Sequence, residues 1–233
     1  MLSRSPSAVI IHGHHLQAPE WEKLVWGTPE LTEVGRIPRG IEVAVKEGVE
    51  VIVWGTGAST DPATGKKESE FTQAFALDHA DELAQYVVES KDEITTLIKE
   101  RSVLQLETKN TKDEIYEALK VCKEKGIHTL YLVSSPTHVA RCLLTACQYQ
   151  SEFPGIVFYG VAAETSTDFW SPKDVAVIEP SHRPDRSEAP MNLLAKRMAS
   201  ARKYKDRAMK LYEDIKKLID AFDAETPKDT AKN

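Results

Sequence analysis

Short apolar runs alternate with stretches of helical spacing along most of this 233-residue chain. Ala8-Val9-Ile10-Ile11-His12 has the length of a strand and stops at Gly13. From Glu30 to Lys46 the apolar positions Leu31, Val34, Ile37, Ile41, Ala44 and Val45 recur at helical spacing and end at Gly48. Pro38 lies inside that run, so the helix either divides there or begins near it. Val49 to Trp54 predicts a second buried strand, followed by the small-residue loop Gly55-Thr56-Gly57-Ala58-Ser59. One helix is predicted over Glu68 to Val88 and a shorter one over Asp92 to Arg101. Val103 to Leu106 predicts a third strand, and Thr111-Lys112-Asp113-Glu114 has the form of a capping box opening a helix that ends at Gly126. Thr129 to Val133 predicts a fourth strand, and a helix starting at Ser135 runs through Tyr149. Gly155 to Val161 follows as a fifth strand, with Val175 to Ile178 as the candidate for a sixth.

Strands of this length separated by helices predict an α/β fold, a mainly parallel sheet of five or six strands with helices on both faces. Such sheets place ligands at the carboxyl ends of their strands. Those ends carry Gly13-His14-His15, Gly55-Thr56-Gly57, Thr108 to Thr111 and Ser134-Ser135. The α/β domain is expected over 1–188, its last part an irregular stretch rich in Ser, Thr, Pro and charge. A long amphipathic helix dense in Lys and Arg is expected over 189–222, packed along the domain or against a second copy as a homodimer. The polar tail 223–233 is expected to be disordered.

Ser134 to Arg141 concentrates the most chemistry. Ser135 suits the N-cap of the following helix and Pro136 its first position. Free N–H groups of that first turn would face the end of the strand, and His138 and Arg141, three residues apart, share one helix face. An anion site containing a titratable histidine follows. Gly55-Thr56-Gly57 would let the backbone approach a ligand closely, although it is neither a Walker loop nor a complete dinucleotide fingerprint. His12, His14 and His15 suggest a zinc site, but no acidic or Cys partner stands at a metal-binding spacing, and a polar pocket lining is expected instead. Glu70 is a candidate base if its helix begins beside the pocket. Asn110 and Thr111 are either helix-start residues or ligand contacts.

A net charge of −6 argues against nucleic acid and anionic membrane surfaces as partners. No stretch approaches 18 apolar residues, and Met1 to Ser7 has no apolar leader core, so neither membrane span nor signal peptide is expected. Three cysteines, Cys122, Cys142 and Cys147, lie in helical patterns, as reduced thiols of a cytoplasmic protein would.

Taken in order, these motifs resemble a known family. A glycine ends strand one, an Arg precedes the next helix, and a Gly-Thr-Gly loop follows strand two. Ser69-Glu70, Asn110-Thr111 and Ser-Ser-x-x-His-x-x-Arg at 134–141 then follow. That succession resembles the domain found in the bacterial YdcF, SanA and ElyC proteins, over about residues 8 to 160. The resemblance implies a Rossmann-like three-layer fold, and the absence of a membrane anchor places the chain nearer the YdcF-like branch. It implies S-adenosylmethionine as a possible cofactor; no metal is expected, from the histidine spacing above. Two departures stand out: Gln105 occupies the place of a usual acid, with Glu107 nearer the Asn, and His14-His15 stand where the family tends to glycine.

The first functional expectation is a protein binding an anionic, nucleotide-like small molecule. Gly13, His14, Gly55, Thr56 and Gly57 would line it, Ser134, Ser135, His138 and Arg141 would hold its anion, and Glu70, Asn110 and Thr111 would contact the remainder. The alternatives are a hydrolase or transferase acting on a phosphorylated substrate, with His138 as acid/base, and a non-catalytic regulatory module working through its C-terminal helix.

Overall fold

The computed structural model describes residues 5–18, 20–28 and 31–165, together with positions 214 and 217. The chain divides into two units, Met1–Ser166 and Thr167–Asn233, and the described residues belong almost wholly to the first. The sixth strand, the long helix over 189–222 apart from positions 214 and 217, and the tail therefore fall outside the described residues.

Twelve elements follow one another in the first unit. They are β1 (Ser7–Ile11), α1 (Trp21–Val25), α2 (Arg36–Glu47), β2 (Val51–Trp54), α3 (Glu68–Asp78) and α4 (Ala80–Val87). Then come α5 (Lys91–Arg101), β3 (Ser102–Leu104), α6 (Thr111–Glu124), β4 (Thr129–Ser134), α7 (Pro136–Gln148) and β5 (Val157–Ala162). The five strands form one parallel sheet in the order β3-β2-β1-β4-β5. β1 is buried at every position, which is why its sequence reads as an unbroken apolar run. Alternate residues serve the two faces. Val9, Ile11, Ile52 and Trp54 pack with Ile37, Ile41, Leu83, Ile94 and Ile98 from α2, α4 and α5. Ala8, Ile10, Val51, Val53, Leu130 and Leu132 pack with Ile115, Leu119, Cys142 and Ala146 from α6 and α7. The result is a Rossmann-like α/β architecture of three layers. Among the described residues no helix is long and apolar enough to cross a membrane.

Three boundaries differ from the sequence expectation, each for a local reason. α2 begins at Arg36, with Gly35 extended at its N-cap, so Pro38 falls in the first turn where no N–H is needed. Its end is set by Gly48 in the left-handed region, at φ 62°. The single helix expected over Glu68 to Val88 is two, α3 and α4. The break falls at His79, whose ring Nδ1 lies 2.9 Å from the Phe75 carbonyl and stacks on the Phe75 ring. A side chain bonded to the backbone four residues earlier competes with the helical ladder. The five-residue α1, absent from the periodicity, is held by Trp21, whose indole N–H donates to the His14 carbonyl at 2.9 Å.

Candidate functional site

β1 sits between β2, the next strand in sequence, and β4, reached only after the chain has crossed back from β3. The carboxyl ends of β1 and β4 are therefore the topological switch point, where open parallel sheets place ligands. His12 follows β1, and its backbone N–H donates to the Val133 carbonyl in β4 at 3.0 Å. Ser134 ends β4, and Ser135 opens α7. Helices α2, α6 and α7 each bring a charged or titratable side chain to this point.

From α2 comes Arg36, only 5% exposed. Its Nε donates to Ser135 Oγ at 2.9 Å, and Nη1 donates to the backbone carbonyls of His12 (3.2 Å) and Gly13. All three acceptors are neutral oxygens. Burial lowers the guanidinium's affinity for its proton, opposed by the neighbouring Cys142 sulfur and Glu114 carboxylate. Ser135 is the N-cap residue by conformation, but its hydroxyl makes no capping bond and serves Arg36 instead.

From α6 comes Glu114. The N-cap expected at Thr111 lies one residue earlier, without the reciprocal bond of a capping box. Asn110 is the N-cap, accepting from the N–H groups of Lys112 (2.9 Å) and Asp113 (3.1 Å), and Asp113 accepts from Lys109 N–H at 3.2 Å. Glu114 is thereby released from capping and turns inward, 4% exposed. It meets His12, 102 residues away, with Nδ1 2.5 Å from Oε2. Burial disfavours a charge on His12, but the neighbouring Cys142 sulfur and the Glu114 carboxylate outweigh it and raise the imidazole to about 10. His12 is an imidazolium at neutral pH. Its other nitrogen, Nε2, is buried and has no hydrogen-bond partner among the described residues.

From α7 come His138 and Arg141. Arg141 Nη2 lies 2.7 Å from His138 Nε2, and a guanidinium can only donate, so Nε2 carries the lone pair. Nδ1–H then donates to Ser134 Oγ at 2.7 Å. Thr111 Oγ1 approaches the same Nε2 at 3.1 Å. Burial, with Arg36, His12 and Arg141 adding their positive charges, holds His138 well below the usual histidine range. The two rings stand edge to face, their centroids 5.7 Å apart. One is charged and one neutral.

The glycines expected to admit a ligand are pressed by protein atoms. A Cβ on Gly13 would lie 2.1 Å from Glu68 Oε1 and 2.7 Å from the Gly55 carbonyl, and one on Gly55 would lie 2.9 Å from the Glu114 carboxyl. A Cβ on Gly57 would lie 1.8 Å from the Leu106 carbonyl oxygen. Gly57 N–H and Thr56 Oγ1 both donate to the Thr108 carbonyl, at 2.9 and 2.7 Å. The Gly-Thr-Gly loop is thus a packed joint between β2 and the β3–α6 connection.

Other expected residues are placed as follows. Glu70 accepts from Lys67 N–H at 2.8 Å as the acid of α3's capping box. The acid turned inward from α3 is instead Glu68, fully buried and bonded to Ser59 Oγ. Burial raises Glu68 to about 8 against the pull of Ser59, so it is protonated at neutral pH. His14 is lowered to about 3 by burial, Arg36 and His15, and remains neutral. Asn110 is committed to its cap, while Thr111, Ser134, Ser135, His138 and Arg141 do meet at the switch point. Among the described residues no three His, Cys, Asp or Glu side chains are grouped to hold a metal ion.

Arg36, Glu68 and Glu114 were the residues missing from the sequence expectation. Arg36 carried a usable signal, since a cation in a helix's first turn opposes the helix dipole and needs another reason to be there. Glu68 and Glu114 carried none, because acids at helix starts are explained by the dipole alone.

Fold and site together define a class: a Rossmann-like parallel α/β domain with a buried cationic cluster at its switch point. Comparison with protein-family models, with curated proteins and with solved structures finds no match.

Proposed function

We propose that the site at the ends of β1 and β4 binds a small molecule through an anionic group of phosphate type. The observation that carries this is Arg36, a buried guanidinium hydrogen-bonded to neutral oxygens, beside a histidine kept neutral by surrounding positive charge. A buried cation is costly unless an anion meets it. Glu114 is committed to His12, and the protonated Glu68 brings no charge. The first turn of α7 adds the positive end of its dipole, although Pro136 has no N–H and those of His138 and Val139 donate to the Ser135 carbonyl. This charge exists locally within a chain of net charge −6.

S-adenosylmethionine, which the YdcF-like resemblance implies, offers a carboxylate for the same place. It also brings a sulfonium and an ammonium into a cationic setting, which favours a phosphate. The protein's midpoint of thermal unfolding, measured with inorganic phosphate, adenosine monophosphate and S-adenosylmethionine, tests the proposal. Phosphate compounds at a hundred times their Kd should stabilise by about 2.7 kcal/mol. The gain should shrink at least tenfold in affinity in Arg36→Met and in Arg141→Ala. Stabilisation that survives both substitutions, or none by any phosphate compound, overturns it.

A further inference from the structure

The binding role leaves one pair of groups without a purpose. A phosphate needs positive charge, which the arginines supply. It does not need a carboxylate buried solely to orient a histidine, nor two histidines held in opposite protonation states. Resting on the anion site above, we infer that the site is catalytic: His12, oriented by Glu114, is the general acid and His138 the general base in hydrolysis of a phosphate monoester.

The geometry assigns the roles. Glu114 Oε2 holds His12 Nδ1 at 2.5 Å, so the proton available for transfer is the one on Nε2, the buried nitrogen with no partner among the described residues. A buried, unsatisfied donor in a folded protein calls for an explanation, and an absent substrate oxygen supplies one. His138 is fixed in the opposite sense. Arg141 and Thr111 face its Nε2 lone pair, and its Nδ1 proton is committed to Ser134. An oxyanion that draws the Arg141 guanidinium to itself leaves that lone pair for a water. Two titratable groups whose surroundings push them apart mark an acid and a base. Here Glu114 and Cys142 face His12 from α6 and α7 and favour its charge, while Arg36 from α2, His12 after β1 and Arg141 from α7 face His138 and oppose it.

The step balances as follows. Water attacks phosphorus and its proton passes to His138 Nε2, as the P–O bond to the leaving alcohol breaks. The departing oxygen takes the Nε2 proton of His12, giving the alcohol and inorganic phosphate. His138 ends protonated and His12 neutral, and exchange of one proton with solvent restores both. Nothing is oxidised or reduced, and water is the co-reactant.

Leaving-group dependence provides the test. p-Nitrophenolate departs without a proton, whereas the alkoxide of glycerol 2-phosphate needs one, and general acid catalysis is worth about 10²- to 10⁴-fold. Release of inorganic phosphate from both esters is measured for wild type and His12→Gln, alongside binding of inorganic phosphate by calorimetry. His12→Gln should change the ratio of the two turnovers by about 100-fold, against glycerol 2-phosphate. Should that variant fail to fold, Glu114→Gln keeps the size and removes the charge. Its high-pH limb for glycerol 2-phosphate should move to lower pH as His12 loses its carboxylate. An unchanged ratio with an unchanged pH limb overturns the acid role. Phosphate bound with neither ester turned over overturns catalysis and leaves the binding site standing. No phosphate bound overturns both.

Discussion

The two halves of the sheet's carboxyl edge use similar residues to opposite ends. Above β2 and β3, Gly55-Thr56-Gly57 and Thr108 bond to one another, and Thr108 Oγ1 reaches Thr56 Oγ1 at 3.1 Å. Above β1 and β4, Arg36 is held by neutral oxygens, His12 by the Glu114 carboxylate and His138 by Ser134 and Arg141. A loop of glycines and hydroxyls that looks made for a phosphate has spent its groups on itself. The half whose buried Arg36 guanidinium is hydrogen-bonded only to neutral oxygens is the better candidate for a ligand. Polar composition alone does not locate a site; what decides is whether the polar groups are already satisfied.

The largest effect that could break this comparison is expected at Gly57. Gly57→Ala sets a Cβ against the Leu106 carbonyl and should cost about 3 kcal/mol in urea unfolding, while the folded variant still binds phosphate. Loss of phosphate binding in protein that remains folded would put the ligand on the β2–β3 side. Next comes Ser135→Ala, which removes the acceptor of Arg36 Nε rather than a helix cap. A buried charge-assisted bond is worth about 1.5–3 kcal/mol, so stability and phosphate affinity should fall together. A fall in stability with affinity intact would make Arg36 a purely structural residue.

Glu68→Gln sharpens the electrostatic side. Glu68 is raised from 4.5 to about 8 in the folded chain, so folding retains a proton that the unfolded chain releases. Stability attached to this group is therefore present below pH 4.5 and lost as pH rises through about 8. Gln, the neutral isostere, abolishes that loss. The variant should gain on wild type by about 2 kcal/mol between about pH 5 and about pH 6.5. His12 acts in the same direction at higher pH, its contribution present below 6.5 and lost through about 10, and it is common to both proteins. Parallel stability curves for the two would mean that Glu68 is ionised in the fold. The smallest effect is Asn110→Ala, which loses a cap worth about 1 kcal/mol. Phosphate affinity should not change, and a tenfold loss would show Asn110 to be a ligand residue after all.

Much of the fold was legible in the chain, and less of the site. All five described strands overlap the apolar runs that predicted them, β3 shifted to Ser102–Leu104. β1 and β2 are buried at every position and read as apolar runs, whereas β5 is an edge strand with Val157 and Tyr159 exposed. Ser134, Ser135, His138, Arg141 and Thr111 were legible too, since they flank strand ends. Glu114 was hidden because its spacing from Thr111 imitates a capping box, and only the shift of the cap to Asn110 frees it. Glu70 was singled out over Glu68 for the converse reason: both open α3, and only packing shows which side chain turns inward.

By itself the sequence determined the succession of the five described strands and of the longer helices, though not α1 or the break between α3 and α4, and the polar character of the strand ends. Periodicity, caps and helix-ending glycines act over a few residues and need no distant partner. Tertiary structure alone decided the protonation states at the site. Those depend on His12 meeting Glu114 across 102 residues and on Arg36 lying under Ser135 across 99. Such encounters are products of strand order and helix packing, and the fields they create at a few ångströms have no local signature in the chain.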